Sequence, residues 1–217
     1  MTKFYLILLC FCLSSCAGYR FSQHDNPLSQ YGIQSVSIPT FYNYSTLPHV
    51  GAEFSREVYA MMMSFPSLKV KSGFDNSTDA VMLGIVKSPE KLRETLRAQN
   101  LRVAQDSAPK AIGDKRKEFY IPGTTSVQLY LQIIVIKRPS EDELELLRSG
   151  LGEMAQTNDR IIFNELIPVE SSYNREIFDE EAVKVIGTQN KGALKKSVKV
   201  MAEQVAQSVK EMIMYAF

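Results

Sequence analysis

Hydrophobic residues recur along this chain with two periods, and the switches between them mark out its elements. Phe54, Val58, Met61 and Phe65 are spaced four, three and four, which is one face of a helix over 52–64 that Pro66 ends. Stretch 68–71 (LKVK) alternates cleanly, as a strand with one wet face does. Stretch 80–86 (AVMLGIV) is apolar on both alternate sets, so it predicts a central strand covered on both faces. In 127–136 (VQLYLQIIVI) the positions Val127, Leu129, Leu131, Ile133 and Val135 all point one way, the strongest strand pattern in the chain.

Weaker strands are predicted at 33–38 (IQSVSI), stopped by Pro39, and at 160–169 (RIIFNELIPV), interrupted by Pro168. Between 39 and 51 the chain reads as loop. Near the C-terminus Leu194, Val198, Met201, Val205, Val209, Met212 and Ala216 follow spacings of 4-3-4-4-3-4, a long amphipathic helix. The Met61-Met62-Met63 run reads as core filler.

Two segments look like surface insertions in this plan, at 87–118 and 139–158. In the first, Leu92, Leu96 and Val103 suit a modest helix; the second opens on a capping box, Ser140-x-x-Glu143, and predicts a short helix. The expected fold is α+β: a two-layer sandwich with a mixed or antiparallel sheet of about four to five strands and two main helices packed on it. Residues 31–217 would form that single domain.

The segment before it changes the picture. One lysine precedes ten uncharged residues at 4–13 (FYLILLCFCL), and Ser14 and Ser15 follow. Ten residues are too few to cross a hydrocarbon core, which takes about 20, and they suit a secretory signal over 1–15. Residues 16–30 then read as a tether with a short strand at 19–21 leading into the sheet. The cysteines are Cys10, Cys12 and Cys16, which form neither a disulfide framework nor a paired zinc spacing.

Composition and charge mostly exclude. Twenty-five Lys and Arg stand against 24 Asp and Glu, a formal net charge of +1, which argues against general nucleic-acid binding. His24 and His49 are the two imidazoles, and neither lies in a metal-ligand spacing. Gly150-x-Gly152-x-x-Ala155 fits a relaxed dinucleotide fingerprint but follows a helix pattern, so its context fails. Asp179-Glu180-Glu181 reads as a solvated helix start. No catalytic residue, metal ligand or cofactor site is expected. Segment 87–118 holds nine basic and five acidic residues, and its Lys115-Arg116-Lys117 would meet Lys87 if the flanking strands formed a hairpin. Such a cluster would suit phosphates, while the plainer reading is a solvated loop.

Leu13-Ser14-Ser15-Cys16 resembles the bacterial lipoprotein signal, in which the cysteine is lipidated and becomes the first residue. The order that follows is also familiar: Gly18-Tyr19-Arg20-Phe21, a strand ending in Ile38-Pro39 with Phe41 and Asn43 soon after, and the helix over 52–64. Then come Thr78-Asp79-Ala80-Val81-Met82-Leu83-Gly84 and a final helix running to Ala216-Phe217. Together these resemble the LPS-assembly lipoprotein family, the LptE type.

The resemblance implies diacylglycerol and a further acyl group on Cys16, with Ala17 favouring the outer membrane. It implies a partner in the outer-membrane β-barrel LPS translocon (LptD type), which such proteins plug from the periplasmic side while helping deliver lipopolysaccharide to the surface. Lys87, Lys115, Arg116 and Lys117 would be its phosphate contacts. A different envelope lipoprotein, such as an activator of a peptidoglycan synthase, and a lipid-anchored hydrolase stay open as alternatives.

Overall fold

In the computed structural model, residues 26–75, 77–90, 94–104, 118–148, 159–175 and 183–216 are described. Seven strands and three helices follow in the order β1 (Ser35–Ile38), β2 (Tyr42–Tyr44), α1 (Val50–Met62), β3 (Lys69–Ser72), β4 (Ala80–Lys87), β5 (Leu96–Ala104), β6 (Glu118–Lys137), α2 (Glu141–Arg148), β7 (Ile161–Asn174) and α3 (Val183–Ala216). The class is α+β, as expected, on a larger sheet than the four to five strands the sequence suggests.

The sheet is mixed. β4 pairs antiparallel with β6, while β1 and β2 lie end to end, parallel, along its other side. β3 pairs parallel with β1 at that edge. β7 runs antiparallel along β6 from Thr124↔Asn174 to Ile136↔Ile161. Residues 124–127 of β6 pair with β5 as well as β7, so β5 must lie in line with β4 on the opposite side. β6, 20 residues long, is therefore the spine shared by three strands.

Two layers follow from its alternation. Val127, Leu129, Leu131, Ile133 and Val135 join Met82 and Val86 under the two main helices, against Phe54, Val58 and Met62 of α1 and Met201, Val205 and Val209 of α3. The reverse face holds a smaller cluster, Val81, Leu83, Ile85, Ile134 and Ile136, capped by Leu144 of α2. β4 is thus buried on both faces, as its unbroken apolar run requires. α2 starts at the predicted capping box: Ser140 N–H donates to Glu143 Oε2 at 2.7 Å, and Glu143 N–H donates to Ser140 Oγ at 3.2 Å.

Several expectations are corrected. The supposed helix through Leu96 and Val103 is strand β5, because the first half of β6 offers it a long antiparallel partner; Leu92 lies outside the described residues. The loop over 39–51 contains β2, held by three pairs along β4. Pro168 does not interrupt β7, which occupies the sheet edge, where a missing N–H need cost no ladder bond. Residues 27–31 form a 3-10 turn with Leu28 fully buried, so the chain is already packed within the stretch expected as tether. In the expected α3 stripe Met212 is only partly buried, and its neighbour Ile213 is in the core. Of the methionine run, Met62 is in the core and Met63 is exposed.

Close approaches fix how the layers meet. A Cβ added at Gly84 would run into the Phe41 ring, and one added at Gly51 would run into the Phe41 carbonyl. Both positions need glycine because the segment at Phe41 is clamped between β4 and the first turn of α1. Where β1 and β4 begin, Asp79 Oδ2 accepts from the backbone N–H groups of Gln34 and Ser35, each at 3.0 Å, and from Ser35 Oγ at 2.8 Å. These bonds, the Ser35 hydroxyl foremost, hold the Asp79 carboxyl below its ordinary range.

Candidate functional site

The residues singled out in the sequence fall in different places. Lys87 closes β4 on the reverse face of the sheet, in a row that reads Tyr44, Lys87, Tyr130 and Pro168 across four strands. Its ammonium donates to Gln132 Oε1 at 3.1 Å, and Gln132 Nε2 donates to Asn164 Oδ1 at 2.9 Å. The cation is therefore held by a neutral amide chain over β6 and β7.

Lys115, Arg116 and Lys117 lie outside the described residues, as do Cys16, the Gly150–Ala155 fingerprint and Asp179-Glu180-Glu181. The expected meeting of Lys87 with the basic triplet therefore involves residues outside the described ones. Lys87 sits opposite Tyr130, whereas Glu118, which follows the triplet, sits opposite Ala104 of β5. Tyr130 and Glu118 are twelve positions apart along β6, about 40 Å at roughly 3.3 Å per residue.

A second basic feature forms where α1 meets α3. Asn43 builds the loop that leads into α1: its Nδ2 donates to the Leu47 carbonyl at 2.7 Å, and its Oδ1 accepts from Ser45 N–H at 3.0 Å. Thr46 N–H donates to Ser88 Oγ at 3.1 Å, tying the same loop to the end of β4. His49 then turns the chain through a left-handed conformation, φ 64°, and α1 begins. This geometry places Leu47 and Pro48 beside Ala52, facing Leu194 and Val198 of α3 across a cleft of about 470 Å³.

The rim of the cleft is charged. Lys191 and Lys195 border it from α3 and Glu53 from α1. An adjoining recess of about 450 Å³ shares Glu53 and Lys195 and adds Arg56, Lys196 and Lys199. Lys191, Lys195 and Lys199 are four apart, which lines them up along one helix face at about 6 Å intervals. Arg56 is engaged by Glu53 at 2.6 Å and Glu57 at 3.0 Å. Glu57 and then Glu53 raise its already high pKa. Lys199 approaches Glu203 at 3.7 Å. The arrangement is an apolar floor under a rim with five cationic side chains and one carboxylate, Glu53.

The sequence shows half of this feature. The lysine spacing is visible on the α3 pattern, but its meeting with Leu47–Glu53, some 140 positions away, depends on how the two helices share the sheet. A third recess, lined by Asp75, Thr78, Asp79 and Arg138, surrounds the bonds that begin β4. Among the described residues no group of three His, Cys, Asp or Glu side chains could hold a metal ion. Among the same residues, no helix is long and apolar enough to cross a membrane.

No protein-family model matches the chain, and neither does any curated protein sequence. Similar solved structures include rare lipoprotein B from Shewanella oneidensis, at 10% identity and a TM-score of 0.35 over 82% of this chain and 95% of that one. Lipoprotein GNA1162 from Neisseria meningitidis is similar at 7% identity and a TM-score of 0.33, over 75% of this chain and 96% of that one. A PelC dodecamer subunit from Paraburkholderia phytofirmans gives 9% identity and 0.32, over 79% and 85%. Likeness of this degree assigns no family.

Proposed function

We propose that the chain is a non-catalytic lipoprotein of the outer membrane, held on the periplasmic side by a lipid on Cys16. It plugs and supports assembly of the β-barrel LPS translocon (LptD type) and helps deliver lipopolysaccharide to the surface. The observation that carries the reading is the apolar run at 4–13 closing on Leu13-Ser14-Ser15-Cys16. Two or more acyl chains there would anchor the chain stably, at about 0.8 kcal/mol per buried CH₂, where one would hold it marginally.

The fold supports the reading in kind: a sheet with two main helices on one face is what the resemblance implies. Lys87 is the phosphate contact of this reading that lies among the described residues, and Lys115, Arg116 and Lys117 are the further phosphate contacts it proposes. The test is depletion of the protein in its own cells, followed by labelling of surface lipopolysaccharide. Surface LPS should fall and unfolded barrel accumulate; unchanged surface LPS with a normal barrel would refute the proposal.

A further inference from the structure

The cleft between α1 and α3 is left over once the sheet face and the anchor have been given their roles. Its floor is apolar, from Leu47, Ala52, Leu194 and Val198, and its rim carries Lys191 and Lys195. A pocket with both properties suits a molecule with an apolar tail and an anionic head. Its volume, about 470 Å³, lies within the roughly 300–1,000 Å³ of small-molecule sites.

Volume also separates two kinds of occupant. A partner helix about 10 Å across would fill that space in about 6 Å of its length, barely one turn. A polymethylene chain, one carbon wide, can lie in it over many bonds. The charges then select the head: Lys191 and Lys195 border the cleft, and its carboxylate, Glu53, is already taken up by Arg56 at 2.6 Å.

We propose that the cleft takes one acyl chain of an anionic phospholipid, with the phosphate held by Lys191 and Lys195. Burial of the tail on Leu194 and Val198 supplies the affinity, and the lysine row supplies the preference for negative charge. The site is independent of the anchor at Cys16 and of any barrel partner, so it can fail while the function proposed above stands.

The experiment uses the full-length protein reconstituted in phosphatidylcholine vesicles that carry a few per cent of phosphatidylglycerol with a photoactivatable acyl chain. After illumination, peptide mapping should place adducts on the segments containing Leu47 and Leu194. Lys191→Gln with Lys195→Gln, both exposed positions, should lower that labelling about tenfold, at up to ~1 kcal/mol per exposed charge pair. Ala52→Asp should abolish it by placing a carboxylate on the floor.

Lysophosphatidylglycerols of increasing length should compete about fourfold better per added methylene, the equivalent of ~0.8 kcal/mol. Equal labelling by photoactivatable phosphatidylcholine would overturn the proposal, as would adducts confined to other segments. So would labelling that the lysine pair leaves unchanged, or a cleft that only purified lipopolysaccharide or an acidic amphipathic peptide occupies.

Discussion

Gly84→Ala is the smallest substitution that tests how this fold is clamped together. Gly84 lies within β4, paired with Ile133, and the Phe41 ring covers it so closely that an added Cβ would overlap the ring. Phe41 is 3% exposed and cannot swing into solvent without emptying its place in the core. Overpacking of this kind costs about 1–3 kcal/mol, offset by about 0.5–1 kcal/mol for replacing glycine within a strand. The net expectation is a loss of about 1–2 kcal/mol.

Phe41→Ala alone should cost about 3–5 kcal/mol. In that background the alanine methyl enters vacated space, so Gly84→Ala should become neutral or stabilising by about 0.5–1 kcal/mol. The two changes should therefore couple by about 2 kcal/mol. Equilibrium urea unfolding reads this directly: at a slope of about 2 kcal/mol/M, Gly84→Ala lowers the midpoint by roughly half to one molar. If Gly84→Ala is neutral in the native background, or the two costs simply add, the ring does not sit on Gly84 as described.

Asp79→Asn should lower stability by about 1–3 kcal/mol at pH 7, since a charged acceptor of three hydrogen bonds is replaced by a neutral group. The folded Asp79 pKa is depressed, so the contribution is complete above the ordinary unfolded value near 3.9 and disappears as pH falls through the folded one. Wild type and variant should thus converge in urea titrations taken down the acid limb, and a constant gap there would count against the carboxylate's role. Ser140→Ala should cost about 1 kcal/mol and speed hydrogen exchange in α2 while leaving α1 and α3 unchanged; unaltered α2 exchange would show that the capping box does not hold it. Cys16→Ser should leave an uncleaved, non-acylated precursor on a gel after palmitate labelling, and persistent mature, membrane-held protein would show the cysteine to be misread.

Legibility in the sequence followed the range of the interaction concerned. The central strand, both long helices and the capping box were readable because periodicity and caps are local properties. β5 was not: Leu92, Leu96 and Val103 fit helical spacing, and only the distant first half of β6 makes a strand of that stretch. β2 is three residues long and exists through its pairing with Ile85–Lys87. The distance between Lys87 and the segment after the basic triplet follows from the length of β6, which the apolar core pattern at 127–136 shows only in part. The lysine-rimmed cleft needed two segments whose adjacency is decided by packing.

The central claim is that a lipid on Cys16 holds this domain beside an outer-membrane barrel. Co-purification of the tagged full-length protein from native membranes tests it most directly. The account predicts an acylated Cys16 on the recovered chain together with a large, heat-modifiable β-barrel protein in near-equal amount. An abundant, membrane-anchored protein that recovers no barrel would contradict it.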